Sequence, residues 1–177
     1  MPFLISTFWN IAFANYVKLS FINSKIFTDG QLHIFFCGTG GPNTSMQEIR
    51  KPACLAVISD NQFLVFDAGE GADQTLASLG LPLNQVGPIF ITHWHSDHFA
   101  GLGDLINASW RSHRQKPLIV YGPDGVKTVI SGINQAFSLD ILFRSLNRHG
   151  RLNPKLGKAI PKLINTTAKG KKVYHHG

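Results

Sequence analysis

The sequence reads as a mixed α/β layered domain, and three observations carry that reading. Short apolar runs rich in β-branched and aromatic residues come first, spaced as antiparallel neighbours. From residue 87 onward such runs alternate with stretches of helical period. Clusters of glycine, asparagine and proline punctuate the pieces. A length of 177 residues suits one domain with its own core, and 44% hydrophobic against 15% charged residues excludes a disordered chain. There is no internal repeat and no low-complexity tract.

Residues 1–30 open with MPFLISTFWNIAFAN, an apolar segment carrying Ala12-Phe13-Ala14 in the manner of a small-residue processing site. It has no Lys or Arg before the apolar run, and it is too short to span a bilayer as a helix. Two readings stay open: the remnant of an export signal or anchor, or an ordinary packed element. The compartment, cytoplasmic or exported, stays open with them.

The core of the domain is expected over residues 31–140. LHIFFCG (32–38) is the first strand, broken sharply at GTGGPN (38–43). CLAVIS (54–59), a turn at Asp60-Asn61 and QFLVFDAG (62–69) form a hairpin. GADQTLASLG (71–80) suits a short helix closed by glycine. GPIFITH (87–93) is a buried strand. Phe99, Leu102, Leu105, Ile106 and Trp110 recur at helical spacing and predict an amphipathic helix from Ala100 to about His113. PLIVYGPDG (117–125) is a further strand and turn, and Val126, Val129, Ile130, Ile133 and Phe137 mark the next helix. Past Asp140 the pattern weakens. GKAIPKLIN (157–165) suits a helix except for Pro161 inside it.

Cys37 and Cys54 are too few to imply a disulfide framework, and their apolar surroundings predict buried structural thiols. The net charge of +7 is unevenly placed. Through Asp140 there are eight basic and ten acidic residues, whereas residues 141–177 hold nine basic residues and no carboxylate. That last segment is either a phosphate-gripping tail that contacts nucleic acid or a solvated end. Only Phe143 and Tyr174 are available there to stack on bases.

The chemistry concentrates in HWHSDH, residues 93–98. In extended backbone, residues two apart point to one side, so His93 and His95 can converge on one ion. Asp97 and His98 follow as the chain leaves the strand and can serve a second ion beside it. Imidazole and carboxylate are standard zinc donors. The alternative is a polar surface loop with chance histidines. Four such groups between a buried strand and an amphipathic helix favour the metal, because burying them unpaired would be costly. Trp94 and Trp110 read as packing residues.

The run His93-Trp94-His95-Ser96-Asp97-His98 resembles the dinuclear-zinc motif of the metallo-β-lactamase-fold hydrolases. CGTGGPN (37–43), LVFDAGEG (64–71) and PLIVYGPDGV (117–126) agree in the right order and resemble in particular the ribonuclease Z and arylsulfatase-like branch. The resemblance covers roughly residues 32–140, with weaker similarity to residue 150. It implies the N-terminal portion of a four-layered αββα sandwich, with helices outside two sheets. It implies His93 and His95 on the first of two Zn²⁺ ions, and Asp97 and His98 on the second. A metal-activated water would be the nucleophile, with Asp97 orienting it. Asp67 would hold the histidine loop, although a plain strand-end turn explains it equally well. Gly38, Gly40 and Gly41 offer N–H groups to an anion or form a tight turn.

The family's further ligands have no counterpart here. Past Asp140 the histidines are His149, His175 and His176, none in a matching context, and no Asp or Glu occurs there. The expectation is therefore the N-terminal half of a zinc-dependent hydrolase acting on phosphodiester or sulfate-ester bonds. Its substrate would be RNA or a small ester, and a complementing C-terminal chain or a second copy would be its partner. Two rivals remain: a non-catalytic remnant that binds metal or RNA, and a thiolesterase of the glyoxalase II kind.

Overall fold

The computed structural model describes residues 24–42, 49–146, 152–165 and 172–175. The apolar residues 1–23 considered above lie outside them. Among the described residues six strands form one sheet in sequence order: β1 (His33–Gly38), β2 (Cys54–Ser59), β3 (Gln62–Phe66), β4 (Ile89–Phe90), β5 (Leu118–Gly122) and β6 (Ala159–Leu163). β1, β2 and β3 are antiparallel, and β3 through β6 run parallel. The β2–β3 turn is built from Asp60 (φ 46°) and Asn61 (φ 60°), two residues that tolerate the left-handed region and match the hairpin twist.

Among the described residues five α-helices follow the chain: α1 (Ala72–Ser78), α2 (Ser96–Phe99), α3 (Leu102–Arg111), α4 (Val126–Ala136) and α5 (Ser138–Leu146). Leu76 of α1, Leu102 and Leu105 of α3 and Ile130 of α4 are fully buried in one cluster with the inward strand residues Ala56, Ile58, Phe63, Val65, Ile89, Leu118 and Val120. One face of the sheet is thus the core. Across the other, the register aligns Phe36, Leu55, Phe66, Phe90, Tyr121 and Lys162 in a single row. Phe66, Phe90 and Tyr121 stack at about 5 Å, and Tyr174 packs edge-on against the last two.

Two expectations are corrected. Residues 159–163 form an edge strand rather than a helix. An edge position accommodates Pro161 because one side of the strand needs no ladder hydrogen bond. Cys37 and Cys54 are buried as expected, at 2% and 3% exposure, but they are joined in a disulfide rather than left as thiols. The cause is local: the β1–β2 register shifts between Phe36 and Gly38, which sets Cys37 beside its partner on the core face.

Arg114 is the one buried cation among the described residues. Burial pushes its guanidinium down to about 10, so it stays charged at neutral pH. It donates to Ser109 Oγ and to the carbonyls of Lys116 and Leu156, tying the end of α3 to the segment before β6.

Candidate functional site

β4 ends at Phe90, and the next eight residues carry the chemistry. Ile91 continues in the sheet direction by donating its N–H to the Tyr121 carbonyl at 2.8 Å. The loop then meets Asp67 at the end of β3. Asp67 is 7% exposed and holds φ at 56°, a left-handed conformation uncommon outside glycine, asparagine and aspartate. That backbone turn aims its carboxylate across the sheet edge. Oδ1 accepts the Thr92 backbone N–H at 2.8 Å, the Thr92 hydroxyl lies 2.9–3.0 Å from both oxygens, and Oδ2 lies 2.8 Å from His98 Nδ1.

These contacts fix two imidazoles. The Thr92 hydroxyl has one hydrogen, which goes to Asp67. Toward His93 Nδ1, 3.0 Å away, Thr92 Oγ1 is therefore the acceptor, and Nδ1 carries the proton. His98 Nδ1 likewise donates to Asp67. With Nδ1 so engaged, Nε2 is the nitrogen each ring has left to offer a metal, the arrangement that metal-ligating histidines acquire from such partners.

The remaining donor atoms lie in two close pairs. His93 Nε2 faces His95 Nδ1 at 3.1 Å, His98 Nε2 stands 3.5 Å from Asp97 Oδ2, and the His93 and His98 rings are 4.0 Å apart. Two lone pairs this close need a positive centre between them: the hydrogen of a neutral His95 Nδ1–H, or a cation. The edge of a tetrahedron with zinc–nitrogen bonds of about 2.0–2.1 Å is roughly 3.3 Å, near both donor separations. The donor set fits zinc in kind and in pair spacing. It falls short in number: among the described residues no three His, Cys, Asp or Glu side chains converge as a group that could hold a metal ion.

Close backbone approach holds this arrangement in place. A Cβ on Gly69 would collide with the Asp97 carbonyl and with Pro52, and one on Gly101 would collide with the Gly69 carbonyl. Ala68 N–H donates to the His98 carbonyl at 2.7 Å, Gly101 N–H to the Ala68 carbonyl at 3.0 Å, and Gly69 N–H to the Ala53 carbonyl at 3.0 Å.

Two glycines of the β1 turn, Gly38 and Gly40, have a steric reason that their own turn does not supply. Gly38 and Gly40 do not adopt positive φ; a Cβ on either would strike backbone of residues 50–52. The Gly40 N–H is committed to the Lys51 carbonyl at 2.8 Å. Gly41 has open space around it. Sequence reasoning missed the role of Thr92, whose only outward signal is a hydroxyl residue directly before the first histidine. Trp110, fully buried with its Nε1–H on the Asn153 carbonyl, packs as expected.

Comparison with known proteins places the chain in a family. The chain is 36% identical over 96 residues to ribonuclease Z of Methanosarcina mazei, covering 54% of this chain and 31% of that protein. It is 30% identical over 128 residues to ribonuclease Z of Pyrococcus horikoshii, covering 70% and 41%. The short form of human tRNase Z superposes with a TM-score of 0.53 at 29% identity, over 62% of this chain and 40% of that one. The chain spans about a third to two fifths of the length of the curated relatives it matches. The family described as Anti-Pycsar protein Apyc1 matches residues 32–130, more than half of the chain. This chain belongs to the Anti-Pycsar protein Apyc1 family, on the ribonuclease Z branch of the metallo-β-lactamase fold.

Proposed function

We propose that this chain contributes the HxHxDH half of a dinuclear zinc site to a phosphodiester hydrolase of the ribonuclease Z kind. The observation that carries the proposal is the facing pair His93 Nε2 and His95 Nδ1 at 3.1 Å, with the His93 ring backed by Thr92. His93 and His95 would hold one ion and Asp97 and His98 the other. Asp67 would keep Thr92 and His98 in place. Bound zinc would supply an acidified water and polarise the scissile phosphate. Asp97, the one carboxylate of the motif, would orient that water. The relatives named ribonuclease Z favour RNA over a thioester as the substrate class.

Two donors per ion are one fewer than a catalytic zinc ordinarily takes. Two divalent ions close together also repel unless anionic ligands lie around them. The chain by itself should therefore bind zinc weakly and turn over little substrate. Zinc titration by calorimetry, with bis-p-nitrophenyl phosphate hydrolysis alongside, tests this. Binding lost in His95→Ala, with turnover restored by fusion to the C-terminal part of a longer relative, is the expected result. Robust turnover by the unfused chain, lost in Asp97→Ala, would show that ligands outside the motif complete the site. Absence of zinc binding would leave the second reading, a non-catalytic remnant.

Contact with RNA is the proposed use of the basic segment, in which Arg144, Lys155, Lys158, Lys162 and Lys172 are described. RNA binding should weaken steeply with salt as counterions are released, and should vanish on deletion of residues 141–177. Affinity that survives the deletion would place the contact elsewhere.

A further inference from the structure

The three imidazoles of the cluster are not supported alike. His93 leans on Thr92 and His98 on Asp67, while the His95 ring has, among the described residues, only His93 as a hydrogen-bonding partner. Its position must come from its backbone. Of the residues flanking it, Trp94 is the one tied to a distant element. Its Nε1–H donates to the Asp124 carbonyl at 2.7 Å, in the turn between β5 and α4.

The indole lies directly on backbone there. A Cβ on Gly122 would stand 2.9 Å from Cζ2 and 3.1 Å from Cη2, and one on Gly125 would stand 3.3 Å from Nε1. Gly125 also has φ at 96°, so that position favours glycine twice over. Phe99 closes the notch edge-on, with ring centroids 5.5 Å apart. In extended backbone the residue between two same-side neighbours points the other way. Seating Trp94 in this notch therefore sets the direction of the residues on either side, His93 and His95.

We propose that Trp94 is a positioning residue that does for His95 what Thr92 and Asp67 do for His93 and His98. It holds the His95 donor at the spacing a shared ion requires. The inference rests on the zinc reading given above, but its structural part stands without metal.

The test compares Trp94→Phe, which keeps a ring and loses the hydrogen bond, with Trp110→Phe, which loses an equivalent indole bond far along α3. Gly122→Ala, which pushes the indole from its seat, is the second probe. In metal-free protein, the imidazole NMR resonances of His95 should move in Trp94→Phe and Gly122→Ala, while those of His98 stay in place. With cobalt(II) as the probe ion, affinity should fall about 10-fold or more and the visible ligand-field bands should change. Trp110→Phe should lower the melting temperature with neither effect. Unmoved His95 resonances in both variants would overturn the proposal, whatever the metal result. Cobalt affinity falling equally in Trp110→Phe would overturn it too, by showing that general destabilisation is the cause. If the parent protein binds no cobalt while the His95 resonances still move in the variants, the zinc reading fails and the positioning role stands.

Discussion

Asp67 Oδ2 and His98 Nδ1 lie 2.8 Å apart across 31 residues of sequence, and the same carboxylate also receives the Thr92 backbone N–H. One side chain at the end of β3 thus anchors both ends of the histidine loop.

Replacing Asp67 by asparagine tests that anchor with little backbone disturbance, because asparagine tolerates the left-handed φ of 56°. An amide has one acceptor oxygen where the carboxylate has two. Thr92 and His98 therefore cannot both be kept as donors. Zinc affinity measured by competition with a chromophoric chelator should drop about 10–100-fold. An unchanged affinity would mean that the histidines are placed without Asp67.

Gly69→Ala should be among the most damaging single changes in the chain. The added methyl has no room between the Asp97 carbonyl and Pro52, and both neighbours are constrained by backbone or ring. A loss of roughly 3 kcal/mol is expected in urea denaturation, in line with overpacking and backbone displacement elsewhere. A loss below about 1 kcal/mol would show that the loop carrying Asp97 can move aside.

The Cys37–Cys54 bond closes a 17-residue separation that includes the close backbone approach of Gly38 and Gly40 to residues 50–52. Reduction, or the Cys37→Ser/Cys54→Ser double variant, should lower stability by about 3 kcal/mol on the chain-entropy account. Chemical denaturation with and without a dithiol reductant measures this. The double variant should be indifferent to reductant.

Asp140 provides a pH-dependent contribution. Burial raises its pKa, but hydrogen bonds from Asn107 and Arg144, with the charges of Arg144 and Arg111, outweigh this and leave it lowered. A carboxylate whose folded pKa is depressed stabilises above its unfolded pKa and loses that contribution as pH falls through the folded value. Asp140→Asn should therefore remove a small stability increment, below about 1 kcal/mol for so exposed a pair. The loss should be seen at neutral pH and disappear in acid. Thermal melts at pH 7 and below pH 3 distinguish this from a loss present at both.

Much of this architecture was legible in the sequence because it rests on local pattern. The hairpin at Asp60-Asn61, the helices after residues 71, 100 and 125, and the crowding of His93, His95, Asp97 and His98 are all set by neighbours a few positions apart. What escaped depends on contacts between distant segments. The disulfide needs the one-residue register shift at Cys37. The seat of Trp94 needs Gly122 and Gly125 to meet it from another strand. The glycines at 38 and 40 are shaped by residues 50–52 rather than by their own turn. Residues 159–163 were misread because Pro161 argues against a helix and a strand interior alike, and only the sheet order reveals that the strand lies at an edge.

The backbone bonds that cross beneath the site have a kinetic meaning. The amides of Ala68, Gly69 and Gly101 are hydrogen-bonded to carbonyls of His98, Ala53 and Ala68, joining the β2 entry, the end of β3 and the start of α3. Releasing any one of these amides requires parting segments that also frame the buried sheet. They should exchange with deuterated solvent only at the slow rate of the central strands, through the same cooperative opening. The loop bearing the histidines is then no lid that samples open forms while the fold persists. It belongs to the last part of the molecule to come apart.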